Sequence, residues 1–251
     1  MGSREHLSRM VEIKGSVNLK LAWCSSAAAK FAVEHWHYSG HMPDSKCVKV
    51  GVYEDEKFIG AVIFSRGVSS SNLSKTYGLK TTDICELSRV ALKAHKTPVT
   101  RIVSIAIKML RKFCPGIKLI ISYADANQGH VGSIYQAGNW IYTGESASVP
   151  IYIGKSGRVY HDRSVSPSGV QEHYGRMSAC PKKEDLTIVP QKPKHRYFMP
   201  FDDELRKKIE SRPYPKKICG VSVDSDTPGF QPGKGGAHPT TPLKNLTGAE
   251  K

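Results

Sequence analysis

Apolar positions along the chain recur with two periods, and the changes of period mark the elements. In "SSAAAKFAVEHWHYSG" serines suited to an N-cap precede an alanine-rich run closed by Gly40. That pattern predicts a helix of a few turns, with His37 and Tyr38 at its C-terminal end. "CVKVGVYED" and "KFIGAVIFSRG" alternate or run apolar around Glu-Asp-Glu, a β-hairpin signal. "ICELSRVALK" alternates again, so Ile84, Glu86, Ser88 and Val90 are expected on one face of a third strand, and Cys85, Leu87, Arg89 and Ala91 on the other. In "TPVTRIVSIAIKMLRKFCPG" Thr97 is placed as N-cap and Pro98 as first helical residue. Ile102, Ile105, Ala106, Met109 and Leu110 then follow at helical spacing until Pro-Gly ends the run. "IKLIISYAD" is continuously apolar, as a strand buried on both faces is. "HVGSIYQAG" predicts a short helix, and "NWIYTG" and "VPIYIG" predict strands.

The order helix, two or three antiparallel strands, helix, strand, helix, strand is that of an α/β protein with a mixed sheet and crossover helices. In such a sheet ligands bind beyond the carboxyl ends of strands, which is where "YADANQGH" places Asp125, Asn127, Gln128 and His130. Composition divides the chain further. A polar segment, 1–20, precedes the patterned catalytic domain, 21–165; a basic, aromatic extension, 166–217, and a tail rich in Gly, Pro, Ser and Thr, 218–251, follow it.

Of 251 residues, 39% are hydrophobic and 24% charged, enough for one domain with a substantial core. Lys+Arg number 37 against 22 Asp+Glu, a formal charge of +15, and an excess of that size makes a polyanion, double-stranded DNA, the expected partner. Six scattered cysteines without a C-x-x-C pair speak against a zinc ribbon, a redox motif or a disulfide scaffold. No signal peptide or run of about 20 apolar residues occurs. A cytoplasmic protein without a membrane partner is therefore expected; its oligomeric state, homodimer included, stays open.

Several residue types suit chemistry. "HWHYSGH" gathers His35, His37 and His41, at a spacing unlike a closed zinc site and equally suited to a helix C-terminus that favours positive charge. Glu86, flanked by apolar residues, needs a partner, a metal or a proton-transfer role with a raised pKa; a structural ion pair with Arg89 is the rival reading. Asp125 alone would suit a helix cap, but Tyr123, Gln128, His130 and Tyr135 beside it point to a reactive cluster. The late segment "KHRYFMPFDDELRKKIESRPYPKK" interleaves cations with rings. Lys194, Arg196, Tyr197, Lys216 and Lys217 are its expected DNA contacts, and "DDELRKKIE" reads as a solvated amphipathic helix.

The element order resembles the GNAT acetyltransferase superfamily, and "NQGHVGSIYQAGNW" is similar to that superfamily's final helix, with Asn127, Tyr135, Gly138 and Trp140 at the matching places. More closely, "HYSG" with Pro43, "GVYEDEKFIGAVIFSRG", "CELSRVALKAHKTPVTRIVSIAIKML", "LIISYADANQGHVGSIYQAGNWIYTG", "KHRYFMPFD" and "RPYPK" resemble the phage Mom family of DNA-modification proteins over roughly residues 30–217. The resemblance implies a GNAT-like fold and a transferase that turns the exocyclic amine of adenine in phage DNA into a carbamoylmethylated amine, protecting the DNA from host restriction in the infected bacterium's cytoplasm. It implies a catalytic set of His37, Tyr38, Glu86, Asp125 and Tyr135, with Tyr135 as acid. Acetyl-CoA or a related two-carbon donor would meet Arg89, Thr100, Arg101 and Asn127, and iron would be held by His37, Tyr38 and Asp125. The turn "AHKTPVTRIV" departs from the superfamily's glycine-rich pyrophosphate turn; Lys96, Thr97, Thr100 and Arg101 are the anion-binding groups it offers instead. Two other functions fit the same residues: a coenzyme A-dependent N-acetyltransferase for a small-molecule or protein amine, and a DNA-binding protein without catalysis.

Overall fold

The computed structural model describes residues 11–13, 17–66, 70–173 and 175–216. Lys217 and the tail lie outside the described residues, as does most of the segment before residue 17. The chain runs β1 (Val11–Ile13), β2 (Leu19–Trp23), α1 (Ser26–Trp36), β3 (Cys47–Glu54), β4 (Lys57–Ser65), α2 (Ser70–Tyr77), β5 (Ile84–Leu92), α3 (Val99–Phe113), β6 (Leu119–Ala124), α4 (Ser133–Ala137) and β7 (Ile141–Glu145). There follow β8 (Ile151–Ile153), β9 (Val159–His161), β10 (Val170–His173), β11 (Arg176–Ala179), β12 (Thr187–Val189), β13 (His195–Pro200) and α5 (Asp203–Lys208). Among the described residues the main sheet has eight strands in the order β1-β2-β3-β4-β5-β6-β13-β7. Its β5/β6 pair is parallel and its other pairs are antiparallel. The mixed α/β class expected from the pattern is the one found.

Local chemistry accounts for the well-predicted elements. Ser25 caps α1, its hydroxyl accepting from the Ala28 amide at 3.1 Å. The β3/β4 hairpin turns on Asp55 and Glu56 at φ 47° and 61°, the left-handed pair that a two-residue turn needs to match strand twist. In α3 the cap is Pro98, one residue later than expected. Apolar side chains of α3 and α4 pack with Leu21, Val50, Val62, Phe64, Leu87 and Ile120 on one face of the sheet. Ala29, Ala32 and Val33 of α1 pack with Ala61, Ile63 and Ala91 on the other, where Leu73 of α2 and Leu205 of α5 meet Ile121 and Phe198.

Three features depart from the sequence expectation. β1 and the first two residues of β2 join the sheet from within the segment assigned outside the domain, and Leu19 is buried. β13 inserts between β6 and β7, so part of the assigned extension is a central strand of the main sheet. Finally, the β4/β5 ladder pairs Ile63 with Arg89 and Phe64 with Leu87, leaving Ser88 as a bulge. An extra residue reverses the alternation beyond it, so Glu86 and Arg89 share a face instead of pointing apart.

Candidate active site

The site lies where β5 and β6 separate. They pair only through Ile84, Cys85 and Glu86 against Leu119, Ile120 and Ile121. Beyond that point Ser122 bridges the opening: its buried hydroxyl lies 2.8 Å from the Leu87 carbonyl and 2.7 Å from the Tyr135 hydroxyl. Ser122 is the donor, its hydroxyl shared between the Leu87 carbonyl and the Tyr135 oxygen. Tyr135, expected as the acid, thus has its hydroxyl held at the wall of the opening by Ser122. It is packed there against Tyr197 and Trp140, each with ring centroids 5.1 Å away.

The splayed strands, the residues after α1, the start of α3 and the approach to α4 enclose a pocket lined by Trp36, His37, Tyr38, Arg89, Tyr123, Tyr135 and neighbours. His37 stacks on Tyr38 at 4.4 Å, and Tyr38 meets His130 edge-on at 5.5 Å. The Ser39 amide donates to His37 Nδ1 at 3.1 Å, so the ring proton sits on Nε2. Burial, and then Arg89, His130 and His41, push the His37 pKa down to about 3. His37 is therefore neutral at working pH and offers an N–H, its Nδ1 already engaged. Rings on several sides with one polar N–H suit a flat heterocycle.

Glu86 lies on the bulged strand, partly exposed. Burial raises its pKa, opposed by Arg89, Lys194, a hydrogen bond from Ser88, and Arg163. The Arg89 guanidinium is tied to main-chain carbonyls, Nε to His41 at 3.3 Å and Nη1 to Ser88 at 2.8 Å. The bulge thus brings a proton-accepting carboxylate and a fixed guanidinium to one face beside the opening, and Arg89 belongs to both that face and the pocket.

Asp125 behaves as the cap that was the bland reading of it. Its Oδ1 accepts from Asn127 N at 2.9 Å and Asn127 Nδ2 at 3.0 Å, and its Oδ2 faces Lys194 Nζ at 3.4 Å. Asn127 in turn accepts from the Lys192 amide at 2.9 Å, so it braces the strand end and is not poised for a cofactor. The residues do not fit an iron. Asp125 has its oxygens engaged, His37 turns an N–H outward, and among the described residues no three His, Cys, Asp or Glu side chains converge as metal ligands.

The start of α3 was expected to bind an anion. There the Glu54 carboxylate already accepts from the Lys96 amide at 3.2 and 3.0 Å and from the Thr97 amide at 2.7 Å. Thr97 is buried, Thr100 half-buried and Arg101 exposed one turn along. At this helix start the residues do not fit a diphosphate. Glu54 escaped the sequence reading because its partners lie more than forty positions away; the only signal was a third acid beside a turn that uses two residues. His95 also escaped it, a lone histidine in a polar turn that proves to line the pocket.

The five expected DNA contacts separate. Lys194 is part-exposed beside Asp125, and Lys216 is exposed. Arg196 is pinned to β7, its Nε donating to Thr143 Oγ1 at 2.8 Å while the guanidinium lies over Phe198. Tyr197 is fully buried, so a stacking role on a base is corrected to a core role. Lys217 lies outside the described residues. No helix among the described residues is long and apolar enough to cross a membrane.

The family model described as the Mom protein family matches residues 18–216. The methylcarbamoylase mom of Escherichia phage Mu is 23% identical over 211 residues, spanning 80% of this chain and 86% of that protein. A structure assigned to the GNAT acetyltransferases from Chromobacterium violaceum ATCC 12472 overlaps with a TM-score of 0.40 at 10% identity, covering 75% of this chain and 85% of its own. One assigned as an acetyltransferase from Sphaerobacter thermophilus DSM 20745 gives 0.34 at 8%, covering 77% and 98%. These overlaps are loose, and the fold class rests on the strand order itself.

Proposed function

The chain belongs to the Mom protein family, and from that premise we propose that it is a DNA-modifying transferase placing a carbamoylmethyl group on the exocyclic amine of adenine. The observation that carries this reading is the partly buried Glu86, its pKa raised, near Arg89, which itself lines an aromatic pocket. The adenine amine is a poor nucleophile because its lone pair is delocalised into the ring, so a base that takes its proton as the N–C bond forms lowers the barrier. Glu86 receives that proton, the donor's leaving group departs with the electron pair of the bond it breaks, and Arg89 stabilises the charge that develops there. Reaching the amine requires the base to leave the duplex stack, at about a few kcal/mol. Tyr38, 46% exposed, and Tyr123 both line the pocket and would stack on the extruded ring. The modified amine lies in the major groove, where restriction endonucleases read base edges, and a bulky group there shields the DNA.

Mass spectrometry of nucleosides from DNA of cells expressing the chain should show deoxyadenosine carrying a carbamoylmethyl group; a wholly unmodified adenine pool defeats the reading. Affinity for duplex DNA should fall with salt at a log–log slope of about −0.9 per phosphate contacted, and an interaction indifferent to salt would remove DNA as the partner.

A further inference from the structure

The turn that enters α3 is wired against phosphate. A helix start attracts anions through its unpaired amides, yet here Lys96 and Thr97 spend theirs on Glu54, and Pro98 has none. Glu54 is itself buried and adds a negative charge where a diphosphate would need a positive field. Three residues before the turn's proline, His95 donates its Nδ1 proton to the Lys93 carbonyl at 2.8 Å, which in the neutral ring leaves Nε2 as the acceptor. That Nε2 is buried without a hydrogen-bond partner, and His95 lines the aromatic pocket. A buried acceptor left unpaired is costly and is matched by a ligand that brings an N–H.

We propose that Glu54, Pro98 and His95 make this turn a site for a neutral carboxamide, which gives an N–H to His95 Nε2, and not for the diphosphate of a nucleotide thioester. The inference deepens the transferase reading and rests on it only in assigning the donor to the His95 part of this pocket, with Tyr38 and Tyr123 left to the base. A carbamoylmethyl unit ends in such a carboxamide, so the pocket would recognise the group transferred and not a carrier's phosphates.

Titration calorimetry of the full chain with coenzyme A, pantetheine and inorganic pyrophosphate tests the first half. Coenzyme A should bind no more than about threefold tighter than pantetheine, and pyrophosphate should give no saturable heat. Glu54→Ala should bind pyrophosphate at least about tenfold better than the parent, the scale of a charge-assisted hydrogen bond regained. A tenfold or greater preference of the parent for coenzyme A over pantetheine overturns the proposal, as does a folded Glu54→Ala chain that gains nothing; where that variant does not fold, the parent titrations decide alone. Ring NMR of His95 tests the second half: acetamide should shift its resonances and acetate should not. No response to acetamide, or an equal response to acetate, overturns it. These readouts need neither DNA nor turnover, so an unmodified adenine pool with both titrations as expected would sink the function and leave this site standing.

Discussion

Glu86→Gln should lower DNA modification by at least about 10²-fold, the scale of a lost general base, while leaving the fold intact. Glutamine keeps the shape and the hydrogen bonding but cannot take the amine's proton. The activity of the parent should fall on the acid side at a pH above the ordinary carboxylate range. Burial holds the Glu86 pKa above its usual 4.5 despite Arg89, Lys194, Ser88 and Arg163 nearby, so the ionised base is lost earlier as pH drops. The same shift fixes the sign for stability. The folded chain binds this proton more tightly than the unfolded one, so stability declines as pH rises from the unfolded value through the folded one. At neutral pH the parent therefore carries a penalty that glutamine removes. Thermal melts at pH 7 should show the variant no less stable than the parent, beside its lost activity by nucleoside analysis. A variant that still modifies DNA at the parental rate moves the base elsewhere.

Much of the fold was legible because its determinants are local. Ser25 before an alanine run, an Asp-Glu turn between alternating strands, and seven α3 residues buried at helical spacing each state their element within a dozen positions. The site was legible in part for the same reason: Tyr123 lies near the end of a strand, His130 and Tyr135 follow its carboxyl end, and the structure gathers all three at one pocket. What escaped depends on distant partners. The Ser88 bulge arises from the register of β4 against β5, and one residue of slip turned an apparent opposition of Glu86 and Arg89 into a shared face. Glu54 closes a turn forty residues away. "HRYFMP" looked like a nucleic-acid surface because its cations alternate with rings, yet alternation is also what a strand between two others requires.

Tyr197 separates those two meanings of one segment, and Tyr197→Ala should cost about 3–5 kcal/mol of stability. Its ring is wholly buried among Tyr135, Tyr142 and Tyr214, with centroids 5.1, 5.2 and 6.4 Å away. Its hydroxyl donates to the Val131 carbonyl and accepts from Gln136 Nε2 at 3.1 Å, while burial pushes its pKa up to about 12. The backbone leans on it as well: Gly132, at φ +80°, passes so close that a Cβ there would stand 2.4 Å from the ring. Truncation opens a cavity behind α4 and removes the wall that seats Tyr135 in the strand opening, so modification activity should fall along with the melting temperature, by roughly 6–20 °C for a chain of this size. Tyr197→Phe keeps the packing and loses the hydroxyl's bonds, and should cost only about 1–2 kcal/mol. If the side chain met DNA instead, the pattern would invert: Tyr197→Ala would melt like the parent and bind single-stranded DNA more weakly by about 1–3 kcal/mol, the worth of one stacked base.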